Sequence, residues 1–177
     1  MSNAVLKGNA SGTGTVTLET PNTNSDRTIA LPDSNGTVMV SGNMPAFSAY
    51  QSSAQTITGA VDTKVQFQSK EYDTANAFDA TTNYRFTPQV AGYYQFNAGI
   101  AIPNSAGIVL KLYKNGSTAK YIANTYNLAS YGAYGSGQVY LNGSTDYVEF
   151  YAYITTTQTL STGSSLTYFS GVLVRSA

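Results

Sequence analysis

The residues that could carry chemistry in this chain are its carboxylates, because histidine and cysteine are both absent. Without those two residue types the sequence has no Ser-His-Asp or Cys-His nucleophile and no ordinary zinc site. Glu71 and Glu149 could serve glycoside cleavage, but that reaction needs two carboxylates about 5 to 10 Å apart, and nothing in the sequence brings them together. A solvated charge or an ion pair with Lys or Arg is the favoured interpretation. We therefore predict no catalytic residues, no cofactor and no enzyme activity.

Tyrosine is the second group of chemical interest, with 15 residues in the chain. Several tyrosines lie on or around a Gly/Ser-rich segment, residues 129–137, which we interpret as a loop. Exposed aromatic rings among small polar residues make contact surfaces in binding proteins. For any single tyrosine, packing in the core or in a subunit interface is the favoured interpretation, since its ring is apolar and its hydroxyl polar. The tyrosines are Tyr121, Tyr126, Tyr131 and Tyr134, and the last three define the candidate ligand loop.

The composition limits the kinds of partner that this chain can have. Charged residues make up 10% of it and the formal net charge is zero, against roughly 25% charged residues in an average soluble protein. Without a basic surplus we expect no nucleic-acid binding, which depends on neutralising phosphates. No apolar run approaches the roughly 18 residues of a membrane span, so we expect no membrane insertion. A neutral surface of this kind favours association with other protein.

The elements that position these side chains are predicted to be β-strands throughout. Thr, Val, Tyr, Phe and Ile are frequent, and Gly, Asn, Asp and Pro recur between short runs, which indicates an all-β sandwich or barrel. Asn115-Gly116 and Asn142-Gly143 are turn dipeptides that predict hairpins. We predict ten strands after Met44, at residues 45–51, 55–58, 64–70, 83–86, 92–102, 108–114, 119–126, 137–141, 146–155 and 165–175.

The first 42 residues differ from residues 43–177. They contain three predicted strands of about five residues with few apolar side chains, which is too small a piece to bury a core alone. We expect this segment to wind with copies of itself or to lie on another protein, as an anchor for the larger domain that follows. The apolar side chains of the predicted anchor are Val16, Leu18, Ile29, Leu31, Val38 and Val40.

The stretch from Pro45 to Val174 resembles the globular jelly-roll head of complement component one, subcomponent q, which is related in shape to tumour necrosis factor. The resemblance implies a ten-stranded antiparallel jelly-roll sandwich that forms a homotrimer. The motifs that carry it are Phe78-Asp79, Phe86-Thr87-Pro88, Gly92-Tyr93-Tyr94-Gln95-Phe96, Leu112-Tyr113-Lys114-Asn115-Gly116, Val139-Tyr140-Leu141-Asn142-Gly143 with Asp146 and Val148, and Phe169-Ser170-Gly171.

The resemblance also makes calcium a possibility, since some members of that family bind it between subunits. Calcium takes six to eight oxygens from converging loops, whereas the aspartates here are isolated beside Gly, Thr or Ser turns. Hydrogen bonding in turns and caps is the favoured interpretation, and we predict no metal site. The four aspartates are Asp62, Asp73, Asp79 and Asp146.

A trimer is also expected from the apolar pattern. We interpret the strand at residues 92–102 as apolar on both faces, and such a strand has no simple solvent side. Packing one face against neighbours around a three-fold axis would bury it. Residues expected to contribute to the core or to the trimer interface are Phe86, Tyr94, Phe96, Tyr151 and Phe169.

The leading segment is similar to short repeats in bacteriophage tail-fibre and head-decoration proteins. Its matching pieces are Gly14-Thr15-Val16-Thr17-Leu18, Pro21, residues 26–33 and Asn35-Gly36-Thr37-Val38. The Gly-X-Y collagen stalk of animal complement-type proteins is not present in the sequence. This resemblance implies a virion protein: a trimeric capsid decoration or cement protein, or a short fibre, held to a capsid or tail protein by residues 1–42. The alternative is a receptor-binding fibre tip or adhesin that recognises a host surface glycan or protein.

Overall fold

A computed structural model of the chain describes residues 10–15, 17, 19, 22–26, 28 and 44–177. The chain divides into two compact units, Met1–Thr37 and Val38–Ala177. The predicted boundary between residues 42 and 43 lies outside the described residues and stays a prediction. The same holds for all six predicted anchor residues, Val16, Leu18, Ile29, Leu31, Val38 and Val40.

The described part of the second unit is an antiparallel β-sandwich, which confirms the predicted fold class. It contains thirteen strands instead of ten, because β5 and β12, of two residues each, were not predicted and the predicted strand at 64–70 is two strands. No helix among the described residues is long and apolar enough to cross a membrane. The strands are β1 Ala46–Tyr50, β2 Thr56–Ile57, β3 Thr63–Lys64, β4 Ser69–Asp73, β5 Phe78–Asp79, β6 Arg85–Phe86, β7 Gly92–Ala106, β8 Ile108–Lys114, β9 Ser117–Asn124, β10 Ser130–Leu141, β11 Val148–Ile154, β12 Gln158–Thr159 and β13 Tyr168–Ser176.

Two large sheets form the sandwich. The five-stranded sheet has the order β10-β7-β13-β1-β4, and the six-stranded sheet has the order β5-β6-β11-β8-β9, with β3 also paired to β11. Strands β2 and β12 form a separate two-stranded pair. Neighbours in a sheet are therefore often distant in the chain, so each outward surface combines residues from several segments.

The core lies between the sheets and is rich in phenylalanine. The Phe47 ring stacks on Phe78 and Phe86 at centroid distances of 4.9 and 4.5 Å and meets Phe169 edge-on at 5.1 Å. Such aromatic pairs add to the free energy gained from burial alone. The Tyr94 hydroxyl donates a hydrogen bond to the Val90 carbonyl at 2.7 Å, and burial raises the pKa of Tyr94 to about 12. The polar end of this core tyrosine is thereby satisfied.

The large buried side chains of strand β7 all lie on the side of the strand that faces the core. Tyr94 and Phe96 are buried, whereas Tyr93 before them and Asn97 after them are exposed. The prediction that this strand is apolar on both faces is wrong, because side chains alternate with a period of two and its large apolar residues share one face. Within one chain Phe86, Tyr94, Phe96 and Phe169 are all fully buried, and Tyr151 is half-buried on the outward side.

Of three predicted elements, two differ from those in the structure and one is confirmed. The predicted strand at 64–70 is two strands, β3 and β4, which belong to different sheets. The turn at Lys114-Asn115-Gly116 does form the predicted hairpin between β8 and β9, with φ of 52° at Asn115 and 78° at Gly116. The turn at Asn142-Gly143 does not form a hairpin, because β10 and β11 belong to different sheets.

The Gly/Ser-rich segment at residues 129–137 is almost entirely strand, not the predicted loop. It forms the first part of β10, which pairs with β7 as far as Ala106. Its glycines permit close approach of the backbone: a Cβ atom at Gly135 would lie 2.1 Å from the Ile122 carbonyl oxygen of β9. The small residues here allow the sheets to pack closely. A Gly/Ser-rich strand of this kind cannot be distinguished from a loop by its composition.

Candidate functional site

The three tyrosines of the candidate ligand loop lie in three different environments. Tyr126 is in the turn after β9, and its ring is 6.0 Å from that of Tyr153 on β11. Tyr131 is at an irregularity in the β10–β7 pairing and is 66% exposed. The Tyr134 ring lies over Gly99 of β7 and stacks on Tyr168 of β13 with centroids 6.3 Å apart. The structure does not bring these three side chains into one binding loop.

A cleft of about 300 Å³ opens on the outward side of the six-stranded sheet. Three tyrosine rings surround it, together with two asparagine amides and one lysine. The pairing of β8 with β9 and β11 produces it, since Lys111 lies opposite Tyr121 on one side and Val109 opposite Tyr153 on the other. We call it the tyrosine cleft, and its lining residues are Val109, Lys111, Tyr121, Asn124, Tyr126, Asn127 and Tyr153.

The lysine of the tyrosine cleft is held in an ion pair. The Lys111 ammonium lies 2.6 Å from each carboxylate oxygen of Asp62 and 5.2 Å from the ring centroid of Tyr121. Burial would lower the pKa of Lys111, but its hydrogen bond and charge attraction to Asp62 outweigh burial and raise that pKa. The lysine stays protonated near neutral pH, and its charge is balanced locally.

The turn after β9 holds Tyr126 in position at one side of the cleft. The Asn124 Oδ1 atom accepts the backbone N–H of Tyr126 at 2.9 Å. The Thr125 N–H donates to the Ile108 carbonyl at 2.7 Å, and the Ile108 N–H donates to the Thr125 hydroxyl at 3.1 Å. These bonds tie the turn to the start of β8, so the Tyr126 ring has a fixed backbone beneath it.

Sequence reasoning singled out Tyr121 and Tyr126 but missed Lys111, Asn124, Asn127 and Tyr153. For Lys111 and Tyr153 the available signal was the alternation on β8 and β11, where each lies between two buried apolar residues. Which of those side chains meet depends on strand pairing, which the alternation does not reveal.

The outward side of the five-stranded sheet has a different character, and we call it the five-stranded face. Four of its five strands, β10, β7, β13 and β1, contain Arg175 as their only charged residue, whereas the edge strand β4 carries Lys70, Glu71 and Asp73. At one end Tyr93 and Tyr140 have ring centroids 5.4 Å apart, beside exposed Val172 and Val174. The middle consists of small or uncharged polar side chains, namely Ser48, Gln95, Asn97, Gly99, Ser136, Gln138 and Ser170.

The two glutamates considered for glycoside cleavage lie in different sheets. Glu71 on β4 accepts a hydrogen bond from the Ser48 hydroxyl at 2.8 Å. Glu149 on β11 is nearly buried and forms an ion pair with Lys64 at 2.9 Å. Each glutamate therefore has a structural partner, and the arrangement is not that of a catalytic carboxylate pair.

The four aspartates are bound to local partners. Asp62 and Asp146 pair with Lys111 and Lys114, and Asp73 pairs with Lys70. Asp79 accepts backbone N–H groups at residues 81, 82 and 83, which lower its pKa. Asp73, Asp79 and Asp146 accept local backbone N–H groups, as expected of aspartates in turns, whereas Asp62 is held by the ion pair to Lys111 instead. Among residues 44–177 and the other described positions, no group of three or more acidic, His or Cys side chains could hold a metal ion.

A second, more polar cleft of about 580 Å³ lies beside β5 and β6. Its two basic side chains are already engaged: Lys70 pairs with Asp73, and the Arg85 guanidinium lies 4.2 Å from the ring centroid of Tyr147. The tyrosine cleft, with its exposed rings, is the stronger candidate for ligand binding.

A sandwich of these two antiparallel sheets defines a jelly-roll domain. The model of the C1q domain family matches residues 46–174. The chain therefore belongs to the C1q domain family, which confirms the predicted resemblance.

Solved structures agree on the fold. The globular domain of zebrafish complement 1qA is 21% identical, covers 75% of this chain and 99% of its own, and has a TM-score of 0.50. Murine APRIL at pH 8.5 is 14% identical, covers 74% and 99%, and has a TM-score of 0.53. Eiger TNF from S. frugiperda is 10% identical, covers 76% and 93%, and has a TM-score of 0.50. The search of curated proteins found no match.

Proposed function

We propose that this protein is a non-enzymatic homotrimer whose subunits pack through the five-stranded face. The observation that carries the proposal is that Arg175 is the only charged residue in strands β10, β7, β13 and β1 of that face, combined with exposed Tyr93, Tyr140, Val172 and Val174. Exposed apolar side chains grouped on one surface mark interaction sites. Trimerisation is also what membership of this family leads us to expect.

The middle of the five-stranded face supports the same proposal. Asn97 of β7 lies between Ser136 of β10 and Ser170 of β13. Small uncharged side chains let two sheets approach closely without the desolvation of a charge, which costs several kcal/mol per ion. Sedimentation equilibrium at micromolar concentration tests the assembly. We expect one species with three times the chain mass, and a stable monomer would refute the proposal.

We further propose that the trimer is a virion structural protein, a capsid decoration or cement protein or a short fibre. Residues 1–42 would attach it to a capsid or tail protein, and the jelly roll would project outward. The support is the similarity of the leading segment to phage repeats, together with a folded unit, Val38–Ala177, that begins near the end of that segment. Virion is accordingly the proposed location.

Deletion of residues 1–42 tests this attachment role. We expect the remaining chain to fold and form a trimer that no longer joins particles, measured by sedimentation and by binding to particles that lack the protein. Electron microscopy of particles with the full chain would show its position on head or tail. Incorporation of the shortened chain at the normal level would contradict the anchor assignment.

A second candidate function is recognition of a host surface glycan or protein by the jelly-roll head. The observation that favours it is a pair of exposed tyrosines on the six-stranded side, Tyr121 on β9 and Tyr126 in the turn after it, which are 66% and 50% exposed. Binding of the labelled full chain to intact host cells tests this role. Absence of binding to cells that the virus infects would contradict it and would leave the trimer proposal untouched.

A further inference from the structure

We propose that the tyrosine cleft is a binding site for a neutral pyranose sugar. The inference rests on the proposed recognition function and adds the site and the ligand class to it. Its residues come from the turn after β9 and from the outward faces of β8, β9 and β11, which the proposed trimer packing leaves uncovered.

The aromatic rings supply the first requirement of a sugar site. A pyranose ring presents a flat patch of C–H bonds that packs against the negative face of an aromatic ring. Tyr121 and Tyr126 are 66% and 50% exposed, so their rings are not covered by the described part of the chain. The Tyr153 ring is tilted by 39° to that of Tyr126 and forms the back of the cleft. The sugar therefore meets aromatic surface from more than one side.

The amides supply the second requirement. Sugar hydroxyls both donate and accept hydrogen bonds, and a side-chain amide carries both kinds of group. The Tyr126 N–H donates a hydrogen bond to the side-chain oxygen of Asn124. This bond fixes the orientation of the Asn124 amide and leaves its amino group as a donor. Asn127 is exposed at the same edge of the cleft, and no hydrogen bond ties its side chain to any residue that the structure describes.

The charge balance selects a neutral ligand. The only ionised side chain lining the cleft is Lys111, and Asp62 contacts its ammonium with both carboxylate oxygens. An anionic sugar would have to compete with Asp62 for that ammonium and would meet the carboxylate as a like charge. The volume of about 300 Å³ lies at the lower end of small-molecule sites, which suits one or two sugar rings.

Titration of the full-length chain with neutral glycans tests the inference, with sialylated glycans as the anionic comparison. The probes are methyl glycosides and short oligosaccharides of glucose, galactose, mannose and N-acetylglucosamine, first on an array and then by calorimetry. We expect at least one neutral glycan to bind. Tyr121→Ala should weaken that binding by about tenfold or more, whereas Tyr121→Phe, which keeps the ring, should keep it within about threefold.

Tyr131→Ala is the matched control, because Tyr131 has the same exposed fraction as Tyr121 and lies outside the cleft. It should leave the affinity within about twofold. Asn127→Ala, a substitution at an exposed turn residue, should weaken binding without changing the unfolding temperature. This second variant separates loss of recognition from loss of folding.

Each remaining outcome overturns the inference in a distinguishable way. If Tyr131→Ala abolishes glycan binding and Tyr121→Ala does not, the sugar site lies elsewhere and the recognition function stands. If no neutral glycan binds, or only sialylated glycans bind, the tyrosine cleft is not a neutral-sugar site. Host-cell binding by the same preparation then shows whether the recognition function survives.

Discussion

The outward faces of the two sheets both carry tyrosines but differ in charge. The central strands of the five-stranded face contain only Arg175 as a charged residue, whereas the six-stranded sheet carries Lys64, Lys111 and Glu149 in ion pairs. Lys111, paired with Asp62, lies among the tyrosines that line the tyrosine cleft, whereas Tyr93 and Tyr140 on the five-stranded face lie against each other. We accordingly propose subunit packing for the tyrosines of one face and ligand binding for those of the other.

Placing a charge in the middle of the five-stranded face should have the largest effect. Asn97→Lys would bury an unpaired ammonium in each subunit of the proposed trimer, at a cost of several kcal/mol per ion. We expect sedimentation to show monomers at concentrations where the natural chain is trimeric. Thr118→Lys, at an exposed position on β9, is the matched control and should leave the trimer intact. Dissociation by both variants would mean that the faces do not differ in the way proposed.

Removal of Lys111 from the tyrosine cleft should have the second-largest effect, a loss of stability. Lys111→Met leaves the Asp62 carboxylate without its ammonium, and loss of a hydrogen bond to a charged group costs about 2 kcal/mol. Urea denaturation should show this decrease in the free energy of unfolding. The double variant Lys111→Met with Asp62→Leu should recover most of it, since neither charge is then unpaired. A double variant as unstable as the single one would argue that packing of the lysine chain matters more than its charge.

Alanine substitutions at two glycines separate a contact between the two sheets from a contact on the five-stranded face. At Gly135 an added Cβ would meet the Ile122 backbone oxygen at 2.1 Å, and backbone between sheets cannot move aside, so Gly135→Ala should cost about 1 to 3 kcal/mol. At Gly99 an added Cβ would meet the Tyr134 ring at the same distance, but that side chain is exposed and can rotate. Gly99→Ala should therefore change the free energy of unfolding by less than about 1 kcal/mol, while weakening the trimer. Equal destabilisation in thermal unfolding would contradict this distinction.

Acid should act through the carboxylates whose pKa is lowered, which are Asp79 and Asp146 on the six-stranded side and Asp73 on β4 of the five-stranded sheet. The pKa of Asp79 is lowered from 3.8, chiefly by backbone hydrogen bonds from Thr82 and Thr81, and that of Asp146 is lowered chiefly by its hydrogen bond from Lys114. A depressed folded-state pKa contributes stability that is complete well above the unfolded value and is lost as pH falls towards the folded value. We expect the free energy of unfolding to fall below about pH 4.

Asp79→Asn tests the contribution of that carboxylate. It should cost about 1 kcal/mol at pH 7 and reduce the dependence of unfolding on pH below 4, measured by chemical denaturation at several pH values. Glu71→Gln is a suitable control, since Glu71 is exposed and has one side-chain partner, the Ser48 hydroxyl. An unchanged acid profile in Asp79→Asn would assign the pH dependence to the other aspartates.

The fold class was accessible from the sequence because it depends on local pattern. Short runs of β-branched and aromatic residues between turn residues predict strands, and Asn115-Gly116 predicts a hairpin that the structure contains. The Asn142-Gly143 signal was just as strong, yet it joins two sheets, since a turn dipeptide specifies a reversal of the chain and not the partner of the next strand.

The sequence by itself determined an all-β sandwich with a neutral surface, because composition and alternation decide which residues can be buried in strands. Tertiary structure alone decided that Tyr126 meets Tyr153, that Tyr134 covers Gly99, and that Tyr131 joins neither group. The physical reason is register: residues far apart in the chain become neighbours only when strands pair, and a shift of one residue would turn every side chain to the opposite face.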